Sequence, residues 1–85
     1  MPKVWEQDGF RFYVYYNDHD PSHVHVKKAG GEAILYLGDK TTKPSIREIR
    51  GMDYKDGKKA LEIAAKEQTR LARQWRRIHD ESAIR

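Results

Sequence analysis

Hydrophobic and polar residues alternate along the first forty residues with the two-residue period of β-strands. The pair Asp8-Gly9 separates alternating segments at about 3–7 and 10–16, and this dipeptide is a strong signal for a two-residue hairpin turn. The turn predicts two cross-strand pairs: Trp5 with Phe12, and Val4 with Tyr13. The chain is therefore expected to begin with an antiparallel hairpin.

A second hairpin is predicted around the pair Gly30-Gly31, which separates segments at about 23–28 and 32–37. The predicted register places two apolar pairs on one face: Val26 with Leu35, and Val24 with Leu37. The other face carries two further pairs: His25 with Tyr36, and Lys27 with Ile34. Because a slip of one residue would turn every side chain to the opposite face, this grouping supports the pairing.

The second half of the chain has the three- and four-residue spacing of helices. Ser45 and Glu48 form a capping-box pattern and Gly51 is typical of a helix end, so a short helix is predicted at about 45–51. A long helix is predicted at about 54–80. Its apolar stripe consists of Leu61, Ala64, Gln68, Leu71, Trp75 and Ile78. Its basic stripe, on nearly the opposite side, consists of Lys59, Lys66, Arg70, Arg73 and Arg77.

Together these elements predict a single α+β domain over residues 1–85. A four-stranded antiparallel β-meander at about 3–38 is followed by a short and a long helix, which are expected to pack on one sheet face. That face carries the aliphatic residues Val24, Val26, Leu35 and Leu37. The other face would stay open, and it combines aromatic and cationic side chains: Arg11, Tyr13, Tyr15, His25, Lys27 and Tyr36.

The composition narrows the class of protein. The 85 residues include no cysteine, which excludes disulfides, thiolate metal sites and a thiol nucleophile. No apolar run approaches the roughly 20 residues that span a bilayer, and residues 1–6 lack the apolar core of a signal peptide. A cytoplasmic protein without a membrane partner is therefore expected.

The net charge of +4 is unevenly distributed. Residues 1–39 contain four Lys and Arg against six Asp and Glu, whereas residues 40–85 contain thirteen against seven. A basic half suits RNA or an acidic partner protein, and it also suits an ordinary solvated helix surface.

Three of the four histidines lie within seven residues, in the run Asn17-Asp18-His19-Asp20-Pro21-Ser22-His23-Val24-His25-Val26. His23 and His25 alternate with valines, so both imidazoles are expected to project side by side from the face opposite the valines, reachable by solvent. Imidazole changes charge near neutral pH and is also the commonest metal ligand. This run is therefore the candidate site for chemistry.

Two kinds of chemistry remain open for the cluster. A divalent metal such as zinc would take nitrogen and carboxylate ligands, here His19, Asp20, His23 and His25. A metal-independent ribonuclease would instead use imidazoles as acid and base near neutral pH. Its catalytic residues would be His19, His23 and His25. Whether the protein is an enzyme stays open.

Binding without chemistry is a further alternative. Aromatic and basic side chains on an open sheet suit single-stranded RNA, through stacking and phosphate contacts. The binding residues would be Arg11, Tyr13, Tyr15, Lys27 and Tyr36. The same face, or a sheet edge, is equally suited to dock a small partner protein. His79 is expected either to pack beneath the sheet or to join the loop histidines.

Five features follow one another along nearly the whole chain: an N-terminal Met-Pro, Gly9-Phe10-Arg11-Phe12, the histidine run 17–26, Gly31-Glu32-Ala33, and a final Trp75-Arg76-Arg77-Ile78-His79. In this order they resemble the small bacterial and phage proteins of domain-of-unknown-function family 4160. Members are often encoded beside another small protein, a layout similar to a toxin–antitoxin pair. The resemblance therefore implies a toxin-like role, with a small cognate partner protein and no catalytic residues to carry over.

The leading expectation is thus the toxin-like member of such a pair, acting on or binding RNA through the histidine-rich sheet face. The alternative is a non-enzymatic interaction module that docks its partner through that face or a sheet edge.

Overall fold

A computed structural model describes residues 2–17, 19 and 21–83. It contains one antiparallel sheet whose five strands follow their chain order, and two helices. The elements are β1 (Lys3–Gln7), β2 (Phe10–Tyr13), β3 (His23–Lys28), β4 (Gly31–Tyr36), β5 (Ser45–Arg50), α1 (Tyr54–Lys66) and α2 (Gln68–Ala83). The predicted α+β class is confirmed, and the sheet has one strand more than predicted. Within the described residues, neither helix is long and apolar enough to span a membrane.

The core lies between the helices and one face of the sheet. The four aliphatic residues predicted for this face, Val24, Val26, Leu35 and Leu37, are all fully buried. They join Phe10 and Phe12 from β2 with Leu71 and Trp75 from α2 in one hydrophobic cluster. Burial of each large apolar side chain contributes roughly 1.5–3 kcal/mol, so this cluster is the main stabilising element of a small domain.

The predicted short helix at 45–51 is wrong, because Ser45–Arg50 forms the edge strand β5. Its isoleucines, Ile46 and Ile49, are three residues apart, which is a helical spacing, yet both pack against the core. The register explains this: Ile34 faces Glu48 while Leu35 faces Ile46, so Arg47 is an extra residue in a β-bulge. The bulge returns both isoleucines to the helix side of the sheet.

The turn between β3 and β4 lies one residue earlier than predicted. Ala29 and Gly30 occupy it, with positive φ angles of 49° and 82°, as a type I′ hairpin turn requires. The register is therefore shifted by two residues, and the observed pairs are Val24 with Leu35, Val26 with Ala33, His25 with Ile34, and Lys27 with Glu32. Because the shift is an even number, each side chain stays on its predicted face.

The first hairpin has its predicted Asp8-Gly9 turn, and Trp5 lies opposite Phe12 as expected. The predicted pairing of Val4 with Tyr13 is wrong, since Lys3 takes that place and the register is irregular between Lys3 and Trp5. This irregularity lets the consecutive residues Val4 and Trp5 both contact the core.

The predicted long helix is divided at Glu67, which adopts φ −103° and ψ 18° between α1 and α2. Backbone hydrogen bonds of 2.9 Å still join Glu67 to Ile63 and Leu71 to Glu67. The two helices therefore remain connected by helical hydrogen bonds across the interruption. The apolar stripe retains its role on both sides of the bend: Ala64, Leu71, Trp75 and Ile78 are buried.

Candidate functional site

The sheet face opposite the helices carries the candidate site. His23, His25 and Lys27 alternate along β3 and face this side, while Tyr36 and Glu32 face it from β4. Tyr13 lies beside His25 on β2. Apart from the exposed Arg11, the predicted binding residues on this face are half-buried.

The rings of His23 and His25 meet edge to face, with centroids 5.3 Å apart. Their spacing on one strand places both on the same face, as predicted. The ring of Tyr15 contacts the imidazole of His25, and the centroids of these two rings are 4.3 Å apart. The prediction of open imidazoles needs correction, because His23 is only 6% exposed and the His25 side chain only 14%.

Both imidazoles are oriented through their Nδ1 atoms. Nδ1 of His23 lies 2.9 Å from the carbonyl oxygen of Pro21, and Nδ1 of His25 lies 3.3 Å from Oε2 of Glu32. A carbonyl and a carboxylate can only accept, so each Nδ1 carries the donated proton. In the neutral rings, Nε2 is therefore the basic nitrogen, which is the arrangement that orients a catalytic imidazole.

A cavity of about 340 Å³ adjoins the two imidazoles, and we call it the histidine cavity. Its lining residues are Asn17, His19, Pro21, His23, His25, Tyr36 and Arg47. The guanidinium of Arg47 lies 5.9 Å from the centroid of the Tyr36 ring, within the range of a cation–π contact. The cavity therefore combines three imidazoles, one aromatic ring and one permanent positive charge.

The sequence match to known families spans residues 9–76 and is to the family described as Domain of unknown function (DUF4160). The chain belongs to the DUF4160 family. This confirms the resemblance drawn from the sequence features, and the matched range of the DUF4160 domain contains every residue of the histidine cavity. No curated protein and no solved structure matches the chain.

The DUF4160 fold brings together only part of the predicted site. The three predicted catalytic residues, His19, His23 and His25, all line the histidine cavity, and so does Tyr36. The predicted binding residues Arg11, Tyr13 and Lys27 lie farther along the sheet, where Nζ of Lys27 is 5.5 Å from the centroid of the Tyr13 ring. Tyr15 joins the site through its contact with His25.

The predicted divalent metal site stays a prediction. Among the residues that the structure describes, no three His, Asp or Glu side chains are grouped as metal ligands. Asp20, one of the four candidate ligands, lies outside the described residues.

His79 packs against Trp75 of its own helix, and its expected place beneath the sheet stays a prediction. Its ring stacks on Trp75, with centroids 3.8 Å apart, and Nδ1 donates to the Trp75 carbonyl oxygen at 2.7 Å. It is not among the residues that line the histidine cavity.

Two site residues were missed by the sequence analysis. Arg47 was assigned to a helix, because the bulge gives Ile46 and Ile49 a three-residue spacing and no local signal marks the strand. Glu32 was assigned only to the second hairpin, and its position next to His25 depends on the register shift caused by the turn at Ala29 and Gly30.

Proposed function

We propose that this DUF4160 protein is the toxin-like member of a two-protein pair, and that it binds single-stranded RNA in the histidine cavity and cleaves it without a metal ion. The observation that carries the proposal is the juxtaposition of two oriented imidazoles, 5.3 Å apart, beside the guanidinium of Arg47. Two imidazoles and a fixed cation are the groups that internal phosphoryl transfer in RNA needs.

The reaction divides the two proton transfers between His23 and His25. One neutral imidazole takes the proton of the ribose 2′-hydroxyl, whose oxygen attacks the phosphorus and forms the new P–O2′ bond. The other, as imidazolium, gives a proton to the 5′-oxygen as the P–O5′ bond breaks. The products are a 2′,3′-cyclic phosphate and a 5′-hydroxyl, and exchange with water restores the two starting protonation states.

The surrounding residues have supporting roles. Arg47 offsets the negative charge on the phosphate, and its planar guanidinium suits phosphate oxygens. Tyr36 presents an aromatic ring on which a base can stack, an interaction typical of single-stranded RNA recognition. The carboxylate of Glu32 accepts a hydrogen bond from Nδ1 of His25 and so orients this imidazole.

The test is cleavage of a labelled single-stranded RNA in the presence of EDTA. His23→Gln and His25→Gln are each expected to lower the rate by about 100-fold or more, the usual effect of losing a general acid or base. His79→Gln is the matched control, because it removes a histidine that does not line the histidine cavity. Replacing the ribose at the cleaved position with deoxyribose should abolish cleavage, since the attacking oxygen is lost.

Expression of the protein in a bacterial host extends this test. Growth inhibition should be relieved by His23→Gln and His25→Gln and retained with His79→Gln. Full cleavage by both cavity variants, or a wild-type protein that neither binds nor cleaves RNA, would overturn the proposal.

The alternative function, docking of a partner protein, is supported by the open edge of β5. Among the residues that the structure describes, this strand pairs only with β4, so its other side offers backbone groups for an added strand. If a cognate protein binds through this edge, it should retain its affinity for His23→Gln and His25→Gln, and the backbone N–H groups of β5 that face away from β4 should become protected from hydrogen exchange in the complex.

A further inference from the structure

A second, larger cavity lies between the start of α2 and the loop that joins β4 to β5. Its volume is about 790 Å³, and we call it the α2 groove. Pro21 and Tyr36 line both this groove and the histidine cavity, so the two adjoin. A volume of this size is in the range of small-molecule and nucleotide sites.

A buried donor lines the α2 groove. Trp75 is 9% exposed, and its indole Nε1 has no hydrogen-bond acceptor among the residues that the structure describes. Most buried polar groups in proteins have a partner, and leaving one unsatisfied is costly. The nitrogen itself is enclosed, so a ligand acceptor in the groove reaches it and removes this cost once the ring or a neighbouring side chain shifts.

The rim of the groove is positively charged. Lys40, Lys43 and Arg76 line it, together with a single acidic residue, Asp39. The Asp39 carboxylate accepts hydrogen bonds from the backbone N–H and the hydroxyl of Thr41, both at 2.9 Å. Asp39 is thus engaged within its own loop, while the three cations favour an anionic ligand.

The loop that carries the two lysines is held in place by α2. Nε2 of Gln68 donates to the carbonyl oxygens of Leu37, Asp39 and Thr42, at 2.8, 2.9 and 3.1 Å. Reciprocal backbone hydrogen bonds between Asp39 and Thr42 close the loop. A fixed loop loses less entropy when a ligand binds, so the groove is prepared for binding before the ligand arrives.

From these observations we infer that the α2 groove is a second RNA subsite, which takes the nucleotide next to the one bound in the histidine cavity. Lys40, Lys43 and Arg76 bind the phosphates that flank this nucleotide, and Trp75 Nε1 donates to a carbonyl oxygen or ring nitrogen of the base. Tyr36 stands between the two subsites. This inference rests on the proposed function for the identity of the polymer, although binding in the groove needs no cleavage.

The indole N–H signals of the full-length protein test the inference by NMR. The probe is a hexanucleotide RNA with 2′-O-methyl groups, which cannot be cleaved by internal transfer. Its binding should shift the Trp75 indole proton downfield, as expected for a newly formed hydrogen bond. Trp5 is the internal control, because its Nε1 already donates to Gln7 Oε1 at 3.1 Å and should move little.

Charge variants test the phosphate contacts. Each phosphate contact to a single strand contributes about 0.7 to the salt slope, so Lys40→Gln with Lys43→Gln should lower the slope by about 1.4. This corresponds to about 25-fold weaker binding at about 0.1 M salt and unchanged binding at about 1 M. Lys55→Gln with Lys58→Gln is the matched control, since these exposed lysines of α1 make the same charge change outside both cavities.

The outcomes distinguish failure of the proposed subsite in the α2 groove from failure of the proposed RNA cleavage. An unmoved Trp75 signal at saturating RNA, or a lysine double variant that matches its control, overturns the subsite even if cleavage persists. An equal Trp75 shift with inorganic phosphate alone also overturns it, because a base is then not required. A Trp75 shift with the RNA and loss of affinity in the double variant support the subsite, even if His23→Gln and His25→Gln reveal no cleavage to lose.

Discussion

Glu32 lies diagonally across two neighbouring strands from His25, with its Oε2 atom 3.3 Å from Nδ1 of the imidazole. Both side chains are largely shielded from solvent, at 26% and 14% exposure. A carboxylate in this position accepts the Nδ1 hydrogen and so fixes the tautomer and orientation of the imidazole. In the proposed reaction Glu32 is therefore a positioning residue, which acts only through His25.

Glu32→Gln is expected to lower kcat for RNA cleavage by between about 10- and 100-fold, below the full effect of a lost general acid or base. The glutamine keeps the size of the side chain, but its amide can donate as well as accept, so it no longer fixes the tautomer of His25. KM should change little, because Glu32 does not touch RNA. Steady-state kinetics on a single-stranded substrate would separate the two constants.

Glu62→Gln, an exposed substitution on α1, is the control for the change in net charge. If Glu32→Gln raised KM and left kcat unchanged, Glu32 would be a binding residue rather than a positioning one.

The loop at Asp39 should make stability depend on pH in the acid range. Hydrogen bonds from the backbone N–H and hydroxyl of Thr41 lower the pKa of the Asp39 carboxyl below its ordinary value. A lowered folded-state pKa adds stability above the unfolded-state pKa of about 4, and this stability is lost as the pH falls through the folded-state value. Asp39→Asn should therefore lower the free energy of unfolding at pH 7. The difference in this free energy between variant and wild type should vanish once the pH is below the folded-state pKa.

Urea unfolding of both proteins across the range from about pH 2 to pH 7 measures this difference. Thr41→Val removes one of the donors, so Asp39→Asn should cost less in that background than in the wild type. Equal costs in the two backgrounds would show that the Thr41 hydroxyl is not a cause, and would assign the effect to the backbone N–H, which valine retains.

Gly38→Ala is expected to destabilise the protein more than Gly30→Ala. Both glycines have positive φ angles, 68° and 82°, so both alanines carry the left-handed backbone cost of about 1–2 kcal/mol. A Cβ atom on Gly38 would also lie 2.2 Å from the carbonyl oxygen of Thr42, whereas one on Gly30 meets nothing described within 4 Å. The difference between the two unfolding free energies isolates the clash, and equal values would contradict it.

Gln68 should stabilise the loop of the α2 groove through its amide. Gln68→Leu removes the donor to three carbonyl oxygens and should cost about 1–2 kcal/mol, whereas Gln68→Glu should cost more because a carboxylate faces the same oxygens. Urea unfolding measures the order of the two costs. Gln74→Leu, at another half-buried glutamine of α2, is the control, and an equal effect there would show that the loop contacts contribute nothing specific.

The fold was predictable wherever one pattern dominated. The aliphatic residues of β3 and β4 identified the buried face, because an error of two residues in register leaves every side chain on its side of the sheet. The error itself came from Ala29, whose positive φ angle is rare for a residue with a Cβ atom. Helical spacing between Ile46 and Ile49 concealed β5, because a bulge cannot be recognised from spacing alone.

The part of the site that lies on a single strand could be predicted from the sequence. His23 and His25 needed only the two-residue period of β3 to be placed together. Glu32 reaches the site through the register of the β3–β4 hairpin, which its turn at Ala29 and Gly30 sets, and Arg47 reaches it through the bulge in β5. Neither the turn position nor the bulge was recognised from the sequence. The α2 groove joins segments 30 residues apart, so its lysines and Trp75 had no shared signal in the sequence.

The bulge in β5 places a functional constraint on chain length. Arg47 reaches Tyr36 because it is the supernumerary residue between two isoleucines that both face inward. A homologue shorter by one residue at this point would regain regular pairing and lose the guanidinium from the histidine cavity, even if all its other residues were identical. Comparisons across the family should therefore count residues in this strand as carefully as they compare identities.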